Sequence, residues 1–181
     1  MSAVKEGYIY DPVAKKQRKA TPEEYVRQEM LKVLVEEYNY SIDNMETEFP
    51  IKIGSSSKRI DIAIFKDNAS HEQENIILIV ETKAPKIGAN DKKDGVGQLI
   101  SYVASCPACL YGLWTNGAGG LRQVVRREHI GSGNVVKIDS DILINGEVPS
   151  EQHGPKLEKL TPATSESLKW RFKKCHDIIS T

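Results

Sequence analysis

Five consecutive apolar residues, Ile76-Ile77-Leu78-Ile79-Val80, run without interruption into Glu81-Thr82-Lys83. A run this short cannot cross a membrane. Its lack of alternation predicts a strand over 75–83 that is apolar on both faces, which only a sheet covered on both sides can accommodate. Such a sheet carries helices on either side and places the chain in the α/β class. Charged residues that follow a doubly buried strand emerge together at one end of it.

The flanking pattern supplies the covering elements. Thr21, Pro22 and Glu24 form a helix start, with Thr-x-x-Glu as a capping box and proline at the first helical position. Val26, Met30, Val33 and Leu34 continue with helical spacing to about residue 38. Strands are expected near 46–53 and 59–65, joined through Gly54-Ser55-Ser56-Ser57. In the second of these, Ile60, Ile62 and Ile64 share one face. Val96, Leu99, Ile100 and Val103 mark a helix over about 92–105. Strands follow at 110–115, 124–127 and 135–138, the last two joined through Gly131-Ser132-Gly133-Asn134. The order helix–strand–strand–strand–helix–strand predicts an αβββαβ core with a mixed central sheet flanked by helices. Residues 1–20 read as a basic arm without regular structure. Residues 139–165 read as a turn-rich segment, and 165–179 as a final helix leading to a further module of a longer protein.

With 181 residues the chain is expected to form one core domain, over residues 21–138. Twenty-five basic residues balance twenty-five acidic ones, which excludes nucleic-acid binding driven by overall charge but not a local basic groove. Residues 21–50 nevertheless carry eight acids against two bases, a net of −6. Three cysteines, an odd number, argue against a secreted disulfide scaffold, and the first residues lack an apolar leader. The expectation is a cytoplasmic chain without a membrane anchor.

If strands 59–65 and 76–83 form an antiparallel hairpin, Asp61 lies beside Glu81, and Lys83 shares a face with Glu81 two residues away. Two adjacent carboxylates repel unless a cation joins them. Mg²⁺, with Mn²⁺ as substitute, is the natural hard cation for oxygen ligands. Lys83 is placed to stabilise developing negative charge or to help activate a water, which is chemistry suited to phosphodiester hydrolysis.

Asp61, then Glu81-Thr82-Lys83-Ala84-Pro85, then Gln98-Leu99-Ile100-Ser101-Tyr102 resemble the PD-(D/E)XK nucleases. More narrowly, they resemble the N-terminal nuclease domain of type I restriction enzyme R subunits. The resemblance extends from Pro22-Glu23-Glu24-Tyr25-Val26-Arg27 to Leu113-Trp114-Thr115-Asn116-Gly117, and departs from the pattern at Ile60, where the superfamily name has proline. It implies a DNA-cleaving, Mg²⁺-dependent site in a restriction–modification system. Asp61 and Glu81 would be metal ligands, the Thr82 carbonyl a third, and Lys83 catalytic, with Gln98 and Tyr102 positioning substrate or ligands. It also implies methyltransferase, specificity and motor subunits or fused domains as partners. The alternative is an inactive nuclease-fold module for DNA binding or subunit assembly.

Glu24 has two readings, a metal-site acid or the third residue of the capping box, and Glu48 is a further candidate ligand. Gln98 and Tyr102, four apart on one helix, are expected to flank its apolar stripe. Cys106-Pro-Ala-Cys109 follows a helix instead of opening one, which predicts buried cysteines and no thioredoxin-like pair. A zinc site would need Cys175 and His176 as well. Arg122, Arg126 and Arg127, with Lys169, Arg171, Lys173 and Lys174, are candidate phosphate contacts.

Overall fold

The computed structural model describes residues 4–118, 122–130 and 133–143. The expected basic arm is instead ordered in part. β1 (Tyr8–Asp11) and β2 (Lys16–Lys19) form an antiparallel hairpin. Its turn closes because Asp11 Oδ1 accepts the backbone N–H groups of Val13 and Ala14, at 3.0 and 2.9 Å. Low periodicity hid this hairpin, since a two-stranded ribbon with one buried residue has almost no apolar face to alternate.

α1 (Pro22–Glu36) opens as expected, with the Glu24 N–H donating to Thr21 Oγ1 at 3.1 Å. β3 (Met45–Ile53) and β4 (Ser56–Phe65) form a hairpin through Gly54, whose φ of +57° suits glycine. β5 (Ile76–Thr82) is buried at every position. α2 (Val96–Ser105) begins four residues later than the periodicity predicts. Asp91 Oδ1 accepts the N–H groups of Lys93 and Asp94, holding that stretch as a turn. β6 (Tyr111–Thr115), β7 (Arg122–Ile130) and β8 (Gly133–Leu143) complete the sheet.

The six strands stand in the order β3-β4-β5-β6-β7-β8, and only β5 and β6 pair in parallel. Antiparallel neighbours need short turns, whereas the parallel pair needs a crossover, which α2 provides. Met30, Leu31 and Leu34 of α1 pack on Ile62, Ile64, Leu78 and Val80. Leu99 and Val103 of α2 pack on Ala63, Phe65, Ile79 and Trp114 on the other side. Both faces of β4 and β5 are therefore covered, which is why β4 is buried from Ile60 onward instead of alternating. Gly112 lets α2 approach closely, because a Cβ there would sit 2.7 Å from Val103 Cγ2 and 2.8 Å from Leu99 Cδ1. Residues 144–181, including the expected final helix, lie outside the described residues.

Candidate active site

The β4–β5 ladder ends at the pair Ile62↔Val80, so the next residues outward are Asp61 and Glu81. On the other edge of β4, the pairs Thr47↔Ile62 and Phe49↔Ile60 bracket Glu48 and Asp61. Three acids thus form a row across three neighbouring strands, an arrangement that repels itself unless cations intervene. Glu48 adopts φ +56°, a strained conformation for a residue with a side chain.

Both oxygens of Asp61 are held. Oδ1 accepts from Arg27 Nη2 at 2.9 Å, and Oδ2 accepts the Thr82 N–H at 2.8 Å and its hydroxyl at 3.1 Å. Glu81 Oε1 accepts from Lys83 Nζ at 2.6 Å, while Oε2 is buried without a protein partner. Glu81 and Lys83 are 2% and 8% exposed, so this pair is largely removed from water. Burial and the neighbouring Asp61 charge push the Glu81 carboxyl up to about 8, against the pull of Lys83. Burial lowers the Lys83 ammonium, but Glu81, with Asp61 and Glu23, outweighs it and raises its pKa above the usual value. Lys83 is a cation in this setting.

Two arginines manage the remaining acids. Arg27 Nη1 lies 2.9 Å from Glu24 Oε2 and 3.5 Å from Glu48 Oε1. Arg18, brought in by β2, lies 2.6 Å from Asp11 Oδ2, 2.6 Å from Glu48 Oε2 and 3.9 Å from Glu24 Oε1. Arg18, Arg27 and Lys83 are thus the cations set among Asp11, Glu24, Glu48, Asp61 and Glu81.

The family model for the type I restriction enzyme R protein N terminus (HSDR_N) matches residues 22–139. The chain belongs to that family. No match was found among curated proteins or among solved structures. The αβββαβ order of its core is that of a restriction-endonuclease-like domain. The matched residues begin at α1, so the hairpin that supplies Arg18 lies outside them.

In this member of the family Glu24 makes half of the capping box, and its carboxylate lies among the ion pairs of the site. Its backbone takes the Thr21 cap, but the Thr21 N–H donates to Lys19 O, so the capping box is half made. The Glu24 carboxylate instead accepts from Arg27 and from Gln28 Nε2 at 2.8 Å. Glu23 is the acid the sequence reading missed. Burial and the Asp61 charge raise its carboxyl, while Lys83 and Arg27 pull it back, so it feels the same cluster. Glu23 and Arg27 are four apart on α1, a signal that the capping box overshadowed. Arg27 also went unrecognised as a site residue, and Thr82 contributes its N–H and hydroxyl as anchors for Asp61.

Gln98 Nε2 donates to the Tyr102 oxygen at 2.6 Å, and Gln98 Oε1 is buried without a partner. Tyr102 does not flank the apolar stripe as expected; its ring is part of the core under α2, 3% exposed. Burial and the Glu81 charge raise its hydroxyl pKa, which puts the phenol within electrostatic reach of the acidic row. The segment after Lys83 is tied back to β6, with Trp114 Nε1 donating to Asp94 O at 3.0 Å and Asn116 Nδ2 to Ile87 O at 2.8 Å.

The residues present fit a divalent ion. Glu81 Oε2 is a buried carboxylate oxygen without a protein partner, and Asp61 lies beside Glu81 on the next strand. No cluster of three or more His, Cys, Asp or Glu side chains that could hold a metal occurs among the described residues. Mg²⁺ is commonly held by one or two carboxylates and fills its shell with water and substrate phosphate.

Arg127 is not a phosphate contact. It is buried, with Nε donating to Cys109 O at 2.9 Å and Nη2 to Cys106 O at 2.8 Å and to Val103 O. It ties the C-terminal end of α2 and the turn at Cys106–Cys109 to β7. Arg126 pairs with Glu128 at 2.7 Å, and Arg122 Nη1 donates to Tyr38 Oη at 3.4 Å. Cys106 and Cys109 are buried free thiols, and burial raises both, Cys106 to about 11. They form no redox-poised pair. Cys175, His176 and the basic residues at 169–174 lie outside the described residues. No described helix is long and apolar enough to cross a membrane.

Proposed function

We propose that this chain is the Mg²⁺-dependent DNA endonuclease domain of a type I restriction–modification enzyme, hydrolysing phosphodiester bonds in the cytoplasm, with Mn²⁺ able to replace Mg²⁺. The observation that carries this reading is the convergence of Asp61, Glu81 and Lys83 at one sheet end, with Glu81 Oε2 buried and unpartnered. Asp61 and Glu81 would hold the ion, with the Thr82 carbonyl as a further oxygen. When bound, the ion polarises a phosphoryl oxygen and lowers the pKa of a bound water. Thr82 holds Asp61 in place, so that its carboxylate is oriented before substrate arrives. Lys83, kept protonated by Glu81, stabilises the negative charge that develops on the phosphoryl group. Tyr102 fixes the Gln98 amide, whose buried Oε1 has no protein partner. DNA, together with methyltransferase, specificity and motor subunits or domains, are the partners this function requires.

One observation favours the second reading, an inactive module for DNA binding or assembly. Asp61 and Glu81 each already have a protein cation, Arg27 and Lys83. The orphaned Glu81 oxygen weighs against it, because a buried carboxylate oxygen without a partner costs a scaffold stability. Plasmid nicking in Mg²⁺ or Mn²⁺ tests the proposal. Nicking by the wild-type chain that disappears with EDTA and in Asp61→Ala supports it, and nicking that survives Asp61→Ala and Lys83→Ala defeats it.

A further inference from the structure

Arg27 stands where a cation on Asp61 would need to act. Its Nη2 donates to Asp61 Oδ1 at 2.9 Å, and its Nη1 lies between Glu24 and Glu48 at 2.9 and 3.5 Å. Its Nε is buried with no acceptor. The guanidinium therefore sits where three carboxylates draw it, at the expense of one of its own donors. Unlike lysine, arginine does not shed its charge, so this is a permanent positive charge on a carboxylate offered to a metal. A second cation on the same carboxylate is repelled at short range in a site with little water to screen it.

Glu48 sets how firmly Arg27 is held to Asp61. Its backbone is strained, and its carboxylate bridges Arg18 and Arg27 at 2.6 and 3.5 Å. Arg18 comes from the hairpin outside the residues shared with the family, so the bridge is anchored by a part of the chain the family pattern does not include.

We propose that Arg27 is a positioning residue and resident counter-cation: it holds Asp61 in place when no metal is bound and competes with a divalent metal for it, with Glu48 drawing its charge away from Asp61. This rests on the reading of Asp61 and Glu81 as metal ligands. It differs from a purely structural role in sign. A structural arginine, once removed, loosens the site and weakens metal binding, whereas removing a competitor strengthens it.

The test is titration of the full chain with Mn²⁺, following the paramagnetic resonance signal of the free ion. Arg27→Gln should bind Mn²⁺ roughly tenfold more tightly than wild type, an ordinary coupling between neighbouring sites, and should melt at a lower temperature without metal. Arg27→Lys, which keeps the charge, should stay near wild type. Glu48→Gln, at a position whose side chain is 34% exposed, should weaken Mn²⁺ binding several-fold. The same change in an Arg27→Gln background should cost much less, because the residue it acts through is gone. Unchanged or weaker binding by Arg27→Gln overturns the proposal, and so does an undiminished Glu48→Gln effect in the double variant. Should Arg27→Gln fail to fold, unchanged or tighter binding by Glu48→Gln overturns it. If neither wild type nor Arg27→Gln binds Mn²⁺, the metal site falls together with this inference; if wild type binds and the variants do not shift as stated, only this inference falls.

Discussion

Lys83 Nζ and Glu81 Oε1 lie 2.6 Å apart, two residues apart on one strand end, and both side chains are buried. The pair is a short strand-local contact, yet its surroundings give it function. Asp61 on the neighbouring strand pushes Glu81 toward protonation, and Glu81 keeps Lys83 charged. Lys83→Ala should therefore cut Mg²⁺-dependent nicking by about a hundredfold or more, the scale for losing one electrostatic stabiliser of a transition state. Plasmid nicking with single-turnover kinetics reads this, and less than a threefold change would remove Lys83 from the reaction.

Glu23 and Glu24 are adjacent but should behave oppositely. Glu24 is tied to Arg27 and Gln28 and is buried, so Glu24→Gln should lower stability by about 1–3 kcal/mol in urea unfolding. Glu23 feels Asp61 and Lys83 through their charges and not through a buried hydrogen bond. Glu23→Gln should leave the unfolding midpoint nearly unchanged and lower the nicking rate. Equal stability losses in the two variants would contradict this division.

Asp11 supplies a pH dependence whose sign is set by its partners. Burial alone would raise its carboxyl, but hydrogen bonds from Ala14, Thr47 and Arg18, and the Arg18 charge, outweigh that and hold it below its ordinary value of about 3.9. A depressed folded-state pKa contributes stability that is present above the unfolded value and is lost as pH falls through the folded one. The melting temperature should fall below about pH 4, and Asp11→Asn should flatten that acid limb while melting lower at neutral pH. An acid limb of unchanged slope in Asp11→Asn would assign it to other groups.

Arg127 closes the C-terminal end of α2 from β7. Arg127→Ala should cost about 2–5 kcal/mol, because the carbonyls of Val103, Cys106 and Cys109 lose a charged donor inside the core. Arg127→Lys should not restore it, since an ammonium cannot reach three acceptors in a fork. DNA affinity of any variant that remains folded should be unaffected, and loss of binding without loss of stability would return Arg127 to the phosphate-contacting surface.

The core of the site was legible because it depends on short-range regularities. The unbroken run ending at Val80 announces a doubly covered strand, and antiparallel pairing with the strand of Asp61 follows from the short connection between them. Lys83 sharing a face with Glu81 is a property of the pleat. The N-terminal hairpin was not legible, because its stability comes from Asp11 accepting backbone N–H groups and from Arg18 reaching four side chains. Nor was the choice between Glu23 and Glu24, which are consecutive and turned about 100° apart on the helix.

Along the sequence alone, periodicity and the position of charges at the end of an apolar run determined the α/β class, the covered central strand and the meeting of Asp61, Glu81 and Lys83. Only the tertiary structure decided which cations answer those acids. Arg18, Arg27 and Arg127 are similar residues in sequence, yet two join the acidic site and one seals a helix end. Long, flexible side chains carry no period. Their partners are set by which strands and helices come to lie side by side, and by the cost of leaving a charge buried without one.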